Sequence, residues 1–285
     1  MFLPGLAYYV LFHYVPIYGV QIAFRDYFFL KGIWGSPWVG WENFRDAFAL
    51  GSFWEVFRNT LVISTLKLLF GFPAPIILAI LLNELRSIRF KRVAQTISYL
   101  PHFLSWVVLG GLFKQLLSPS FGPVNAVIAA AGLKPVYFLA DAATFRGVLV
   151  ITSVWKEIGW GSIIYLAALA GVDPELYEAA VIDGASRWHR IRYVTLPSLA
   201  PVITIMLLLS LRTIVQDDFD QIFNLYNEAV YSVGDVIGTY VYRVGLVELR
   251  YGLSTAVGLF RNVVAFALIV GANAVARRIG EYGVW

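Results

Sequence analysis

Seven charged side chains fall inside or at the edges of long apolar stretches: Lys67, Lys114, Arg146, Lys156, Glu157, Arg212 and Arg261. A Lys or Arg at the centre of a bilayer costs roughly 2.5–3.5 kcal/mol on insertion scales. Such residues are kept where they face a bundle interior or a water-filled cavity, and there they mark a polar path. Lys156-Glu157 sits between Trp155 and Trp160, whose rings offer stacking faces. Two readings of that pair stay open: a self-neutralising structural pair, or part of a path. Lys114, Arg212 and Arg261 are path candidates on the same grounds, whereas Arg146, near a span end, reads as snorkelling to the interface. Asp217, Asp218 and Asp220 follow the fifth apolar stretch; contact with an outer partner, solvation and pairing with Arg212 are all open to them, and the expectation here is a local ion pair with Arg212. Enzyme chemistry has little to work with. There is no Cys, so thiol nucleophiles and cysteine-ligated metals are excluded. His13, His102 and His189 are too scattered to suggest a metal site; the first two are expected at helix ends and the third on the surface or at an interface. No G-x-x-x-x-G-K-[ST], H-E-x-x-H or G-x-S-x-G motif occurs.

The elements that must position these residues follow from composition. The 285 residues are 59% hydrophobic and only 14% charged, with mean hydropathy +0.71. A soluble domain carries about a quarter charged residues. Nine Trp and sixteen Tyr suit a chain with rings at the lipid–water boundary. Apolar stretches long enough to span a bilayer lie at roughly 2–24, 56–83, 96–117, 145–170, 198–216 and 256–276, with Gly71, Pro73 and Pro75 interrupting the second. The first lacks the basic start and small-residue cleavage site of a secretory signal. The chain therefore reads as one all-α integral membrane domain of six spans. Segments 84–95, 171–197 and 277–285 hold nine Lys and Arg, whereas 25–55, 118–144 and 217–255 hold six over twice the length. The positive-inside rule then puts the first set, and the C-terminus, in the cytoplasm. The net charge of +4 is topological on this reading, with no nucleic-acid partner.

The segment between spans four and five has the clearest local punctuation. Asp173 is an N-cap candidate, Pro174 suits the first helical position and Gly184 the left-handed position past the helix end. Ser186 can cap a second short helix, and Leu196-Pro197 opens the next span. Leu176, Ala179, Ala180 and Asp183 share one face of the first helix. Two adjacent alanines let another surface approach closely, and Glu178 offers a charge to a partner's Arg. A rigid helix pair held between two spans suits transmission of a push from a soluble partner.

Glu178-Ala179-Ala180, three residues, Gly184, nine residues and Val194-x-Leu196-Pro197 resemble the EAA loop of binding-protein-dependent ABC importer permeases, with Val194 where the family commonly has Ile. Phe12-His13-Tyr14-Val15-Pro16-Ile17-Tyr18-Gly19, Gly35-Ser36-Pro37-Trp38-Val39-Gly40, Tyr99-Leu100-Pro101-His102-Phe103, Trp155-Lys156-Glu157-Ile158-Gly159-Trp160-Gly161 and Thr239-Tyr240-Val241-Tyr242-Arg243 extend the likeness to the poly- and oligosaccharide branch of type I, maltose-importer-like permeases, including the alginate importer. Met1 runs directly into apolar residues where the family has a basic tail, and Gln216-Asp217-Asp218-Phe219-Asp220-Gln221 is unusually acidic.

The resemblance implies a six-span permease of the bacterial cytoplasmic (inner) membrane. Its coupling helices, carried on 173–197, would dock on an ATP-binding subunit through Glu178, Ala179, Ala180, Asp183, Gly184, Ala185, Leu196 and Pro197. It implies a second homologous permease chain, two ATP-binding subunits that hold ATP and Mg, and an extracytoplasmic solute-binding protein. This chain would carry no cofactor, metal or catalytic residue. Substrate-path candidates are Lys114, Trp155, Lys156, Glu157, Trp160, Arg212, Asp217, Asp218 and Arg261. If several of these cations line the path, an acidic saccharide, with alginate fragments the leading example, is the expected cargo. Two rivals stay open at this stage: a multispan enzyme acting on lipid-linked sugars, and a membrane scaffold.

Overall fold

The computed structural model describes residues 2–211 and 217–279. Regular structure among them is helical, apart from one antiparallel bridge, Arg25 to Trp38. Five helices are long and apolar enough to cross a membrane, and a bent pair makes a sixth.

The first, Phe2–Phe24, is α-helical at its start, widens to a π turn over Val10–Tyr14 and tightens to 3₁₀ over Tyr18–Phe24. The wide turn lies just ahead of Pro16, whose ring and missing N–H do not fit a regular ladder. Only the C-terminal end of this helix is anchored: Ala23 is buried against Phe44 and Ala256. Its first half is exposed along an apolar face.

The second span, Gly51–Asn83, breaks at Phe72 into Gly51–Gly71 and Pro73–Asn83. Pro73 and Pro75 thus occupy the first turn of the second piece, where a missing N–H costs little. The third stretch departs from the single crossing expected over 96–117. Helix Ile88–Tyr99 and a 3₁₀ turn, Leu100–Phe103, meet helix Trp106–Leu116 at 105°. Leu104 and Ser105 are extended at the corner, and the Ser105 hydroxyl accepts from Val108 N–H at 3.4 Å. A single capping side chain restarts the helix in a new direction.

The fourth helix, Ala142–Ala170, is the axle of the bundle. Phe145 and Leu149 on its N-terminal half pack with Ile63, Ile222, Leu225, Val230 and Val236. Tyr165 and Leu169 on its other half pack with Ile76, Ala79 and Leu199. The fifth, Leu196–Leu211, continues from Arg187–Arg190 through a π turn at Ile191–Thr195. The sixth is Tyr251–Ile279.

The segment between spans five and six is packed into the bundle rather than lying free of it. Helices Phe219–Leu225 and Ile237–Tyr242 are driven into the bundle, with Ile222, Leu225 and Ile237 fully buried. Polar side chains staple it there. Asn59 Nδ2 donates to the carbonyls of Ser232 and Asp235 at 3.1 and 3.2 Å, and Thr60 Oγ1 accepts from Ile237 N–H. Arg146 donates to Val233 O at 3.0 Å and to Asn59 Oδ1 at 2.7 Å. Arg146 therefore does not snorkel; a free carbonyl and an amide oxygen inside the bundle satisfy it better. Further along, Asp235 and Arg243 form a part-buried ion pair at 2.5 Å, with the guanidinium over the rings of Tyr231 and Tyr240. Burial and the neighbouring Tyr231 push the Tyr226 hydroxyl up to about 12, which keeps it neutral.

Candidate functional site

The fourth helix presents Lys156 and Glu157 toward the broken third element. Lys156 is buried; its Nζ donates to His102 O at 2.6 Å and lies 3.4 Å from Glu157 Oε1. Glu157 Oε2 is 2.9 Å from His102 Nδ1. The His102 ring stacks flat on Trp160, 4.5 Å between centroids and 1° between planes. His102 is thus more than a helix-end group: it joins the pair at Lys156-Glu157 to an aromatic platform. The end of helix Ile88–Tyr99, which leads into the turn holding His102, comes this close because Gly159 has no side chain. A Cβ there would lie 1.9 Å from Ser98 O.

A second charged cluster lies where span five meets the packed segment. Asp217 accepts from Arg261 Nη1 at 3.1 Å and from Gly238 N–H. Asp218 pairs with Lys67 at 2.6 Å. Lys67 also donates to Gln221 Oε1, while Gln221 Nε2 donates to Leu149 O and Thr152 Oγ1, both at 2.8 Å. The expected partner, Arg212, lies outside the described residues. Among the described residues, Asp217 and Asp218 are held by cations from spans six and two, and Asp220 is exposed at the head of its short helix.

Both clusters border one cavity of about 400 Å³ between spans two, four and five, lined among others by Ser64, Lys67, Glu157, Trp160, Asp217 and Asp218. Lys156 and Arg261 back its wall through their carboxylate partners. Trp155 turns away, packing on Phe113 and lining a separate groove with Phe90 and Ile97. Lys114 borders another pocket, beside Ser118 and Tyr137. Among the described residues, the cations at this cavity are paired: Lys67, Lys156 and Arg261 each face a carboxylate, and the half-exposed partners are Glu157 and Asp218. Lys67 is the functional candidate that reading by residue type left unassigned. Its signal was a lysine one turn after Ser64, on the same helix face.

Asp217 and Arg261 tie the packed segment to the sixth span across 44 residues of sequence. Removing one partner of a buried pair costs roughly 3–5 kcal/mol. Asp217→Ala should reach the lower end of that range, because Arg261 keeps some solvent access. The check is thermal unfolding of the detergent-solubilised complex, where the double change Asp217→Leu with Arg261→Met should recover most of the loss.

At the far end of the fourth helix, Asp173 accepts from Glu175 N–H at 3.0 Å and opens helix Pro174–Ile182. Gly184 takes φ +77°, and Ala185 N–H donates to Ala180 O at 2.9 Å, closing the helix end. Ser186 caps Arg187–Arg190. Tyr177 OH meets Thr195 Oγ1 at 3.1 Å, bracing the hairpin against the start of span five. Glu178, Ala179, Asp183, Leu196 and Pro197 are exposed, Ala180 and Ala185 half-buried, and no residue of helix Pro174–Ile182 is buried. Ile182 and Trp188 add bare apolar surface.

A broken-helix bundle with a polar cavity at one level and an uncovered helical hairpin at another defines a membrane translocation component. Residues 71–219 match the family described as binding-protein-dependent transport system inner membrane component, and the chain belongs to it. Protein LplB of Bacillus subtilis (strain 168) is 43% identical over all of this chain and 90% of its own length. The polygalacturonan/rhamnogalacturonan transport system permease protein YteP of the same organism is 41% identical, over 100% of this chain and 89% of its own. A chain from the crystal structure of a bacterial ABC transporter involved in the import of the acidic polysaccharide alginate superimposes with a TM-score of 0.90 at 42% identity, covering 97% of this chain and 93% of that one. A chain from a bacterial alginate ABC transporter in complex with alginate pentasaccharide-bound periplasmic protein gives 0.91 at 42% identity, covering 100% and 95%. The fold is that of an ABC importer permease, as the sequence motifs implied. The chain is a transport component and not an enzyme, which sets aside the lipid-linked-sugar alternative.

Proposed function

We propose that the chain is one half of the passage of an ATP-driven importer for oligosaccharides rich in uronic acid, handed over by an extracytoplasmic binding protein. The observation that carries this reading is the cavity in which Trp160, backed by the stacked His102 ring, adjoins Lys67, Glu157 and Asp218. Sugars are bound by ring faces packed on aromatics and by dense polar groups, and this lining supplies both. The acidic polymers named for the relatives support the choice of cargo. A general cationic field does not, because the cavity cations are paired; selection for acid groups is local.

The cavity is completed by a second, homologous permease, against which the bare first half of Phe2–Phe24 has an apolar face to bury. Two ATP-binding subunits hold ATP and Mg, since this sequence has no phosphate loop. They engage the hairpin at Glu178, Ala179, Ala180, Asp183, Gly184 and Ala185, close to where Leu196-Pro197 starts span five. The bacterial inner membrane is the setting, with the Arg- and Lys-rich segments and the C-terminus cytoplasmic. Nucleotide binding pulls the hairpin, and the spans rock between two packings that open the cavity to either side; the ATPase supplies the free energy and this chain the differential binding.

The test is ATPase activity of the assembled complex with its binding protein across acidic and neutral oligosaccharides. Stimulation by oligouronates well above that by neutral sugars of the same length is expected. A preference for neutral sugars contradicts the cargo assignment.

A further inference from the structure

Asp217 and Asp218 are neighbours in sequence and opposites in environment. The Asp217 side chain is 4% exposed and held by Arg261 and the Gly238 N–H. The Asp218 side chain is 54% exposed, and among the described residues its ion pair is with Lys67. Lys67 itself is only 12% exposed. It does not depend on Asp218 for its position. Gln221 is fixed through its own NH₂ to Leu149 O and Thr152 Oγ1, which turns its carbonyl oxygen onto the ammonium. An ammonium has three donors. Among the described residues two are taken, by Asp218 and Gln221, and the group borders the 400 Å³ cavity. The other carboxylates lining that space are already engaged, Asp217 by Arg261 and the Gly238 N–H and Glu157 by His102 and Lys156.

We propose that Lys67 is the subsite for a cargo carboxylate, with Asp218 as its exchangeable resident counterion. While the passage is empty, Asp218 neutralises the ammonium. A uronate entering between Lys67 and the Trp160 face takes the open donor, and Asp218 swings out toward solvent. The charge on Lys67 stays compensated throughout. A neutral sugar cannot make this exchange: to displace Asp218 it must leave a nearly buried ammonium without a counterion. Selectivity for acid groups thus comes from one replaceable pair. This rests on the oligosaccharide-import reading above.

The experiment compares uptake of an alginate pentasaccharide with uptake of the same pentasaccharide after reduction of its carboxyl groups to primary alcohols. It uses proteoliposomes of the full complex supplied with the binding protein. Wild type should prefer the acidic form. Lys67→Met should lower the acidic-to-neutral ratio by roughly tenfold or more, and Lys67→Arg should restore most of it. Asp218→Asn should raise the ratio, because the resident competitor is gone; this variant alters a half-exposed group and guards against loss of folding in Lys67→Met. An acidic preference in wild type that survives both Lys67→Met and Asp218→Asn unchanged overturns the subsite and leaves the import reading standing. A wild type that prefers the reduced form overturns the cargo reading, and the subsite with it.

Discussion

Gly184→Val, or Glu178→Lys, should sharply lower binding-protein-stimulated ATPase activity and uptake while leaving the permease inserted and at normal abundance. The two act differently. Gly184 holds φ +77° in open space, with nothing within 4 Å of a built Cβ. The harm therefore comes from the backbone: a left-handed residue with a side chain costs roughly 1–2 kcal/mol, more when β-branched. The strain is relieved by letting helix Pro174–Ile182 exit at another angle. Glu178 is exposed and, among the described residues, makes no ion pair, so reversing its charge costs the isolated chain almost nothing and falls on the interface. A fall of at least about tenfold in stimulated activity is expected for either change, the size of effect seen when a buried interfacial charge is lost. Stimulated ATPase at the wild-type level in both variants would remove the hairpin from the mechanism.

The second large effect is expected at Gly159. A methyl group there would meet Ser98 O at 1.9 Å and Ser98 C at 2.3 Å. Both are backbone atoms, so no rotamer relieves the clash and the end of helix Ile88–Tyr99, with the 3₁₀ turn that follows it, must retreat from the fourth helix. Overpacking typically costs about 1–3 kcal/mol, and a conflict between two backbones belongs at or above the top of that range. The retreat also pulls His102 from Lys156, Glu157 and Trp160. Gly159→Ala should therefore both lower the unfolding temperature of the purified complex and reduce oligosaccharide uptake. Gly147→Ala, on the same helix with nothing within 4 Å of a built Cβ, should be neutral or slightly stabilising. Equal unfolding temperatures for the two variants would show that the close approach carries no weight.

What the sequence disclosed, and what it hid, divides along the range of the interactions. The hairpin was legible because its determinants are local: Asp173, Pro174, Gly184 and Ser186 each act within three or four residues, and each stands where its residue type predicts. The apolar stretches were legible for the same reason. The corner in the third element was not, because Ser105 is one hydroxyl inside an apolar run that meets the length rule unaided. The packing of the segment between spans five and six was not legible either. Its helices are too short to register as spans, and what draws it inward are Asn59 and Arg146, 172 and 87 residues distant in the chain. The partners that the structure does describe were hidden for the same reason: Lys67 is 151 residues away from Asp218 and Arg261 is 44 away from Asp217. Trp155 and Trp160 looked equivalent as flanks of Lys156-Glu157, yet helical geometry sends Trp155 to Phe113 and Trp160 to His102.

The chain contains no cysteine, so one introduced thiol reports on one place. The most direct measurement is labelling of Ala179→Cys with a membrane-impermeant maleimide, in inside-out vesicles that hold either the permeases alone or the full complex. Strong labelling without the ATP-binding subunits, and protection that varies with nucleotide once they are present, is the predicted result. Equal and rapid labelling in both preparations would contradict the assignment of this hairpin as the link to the motor.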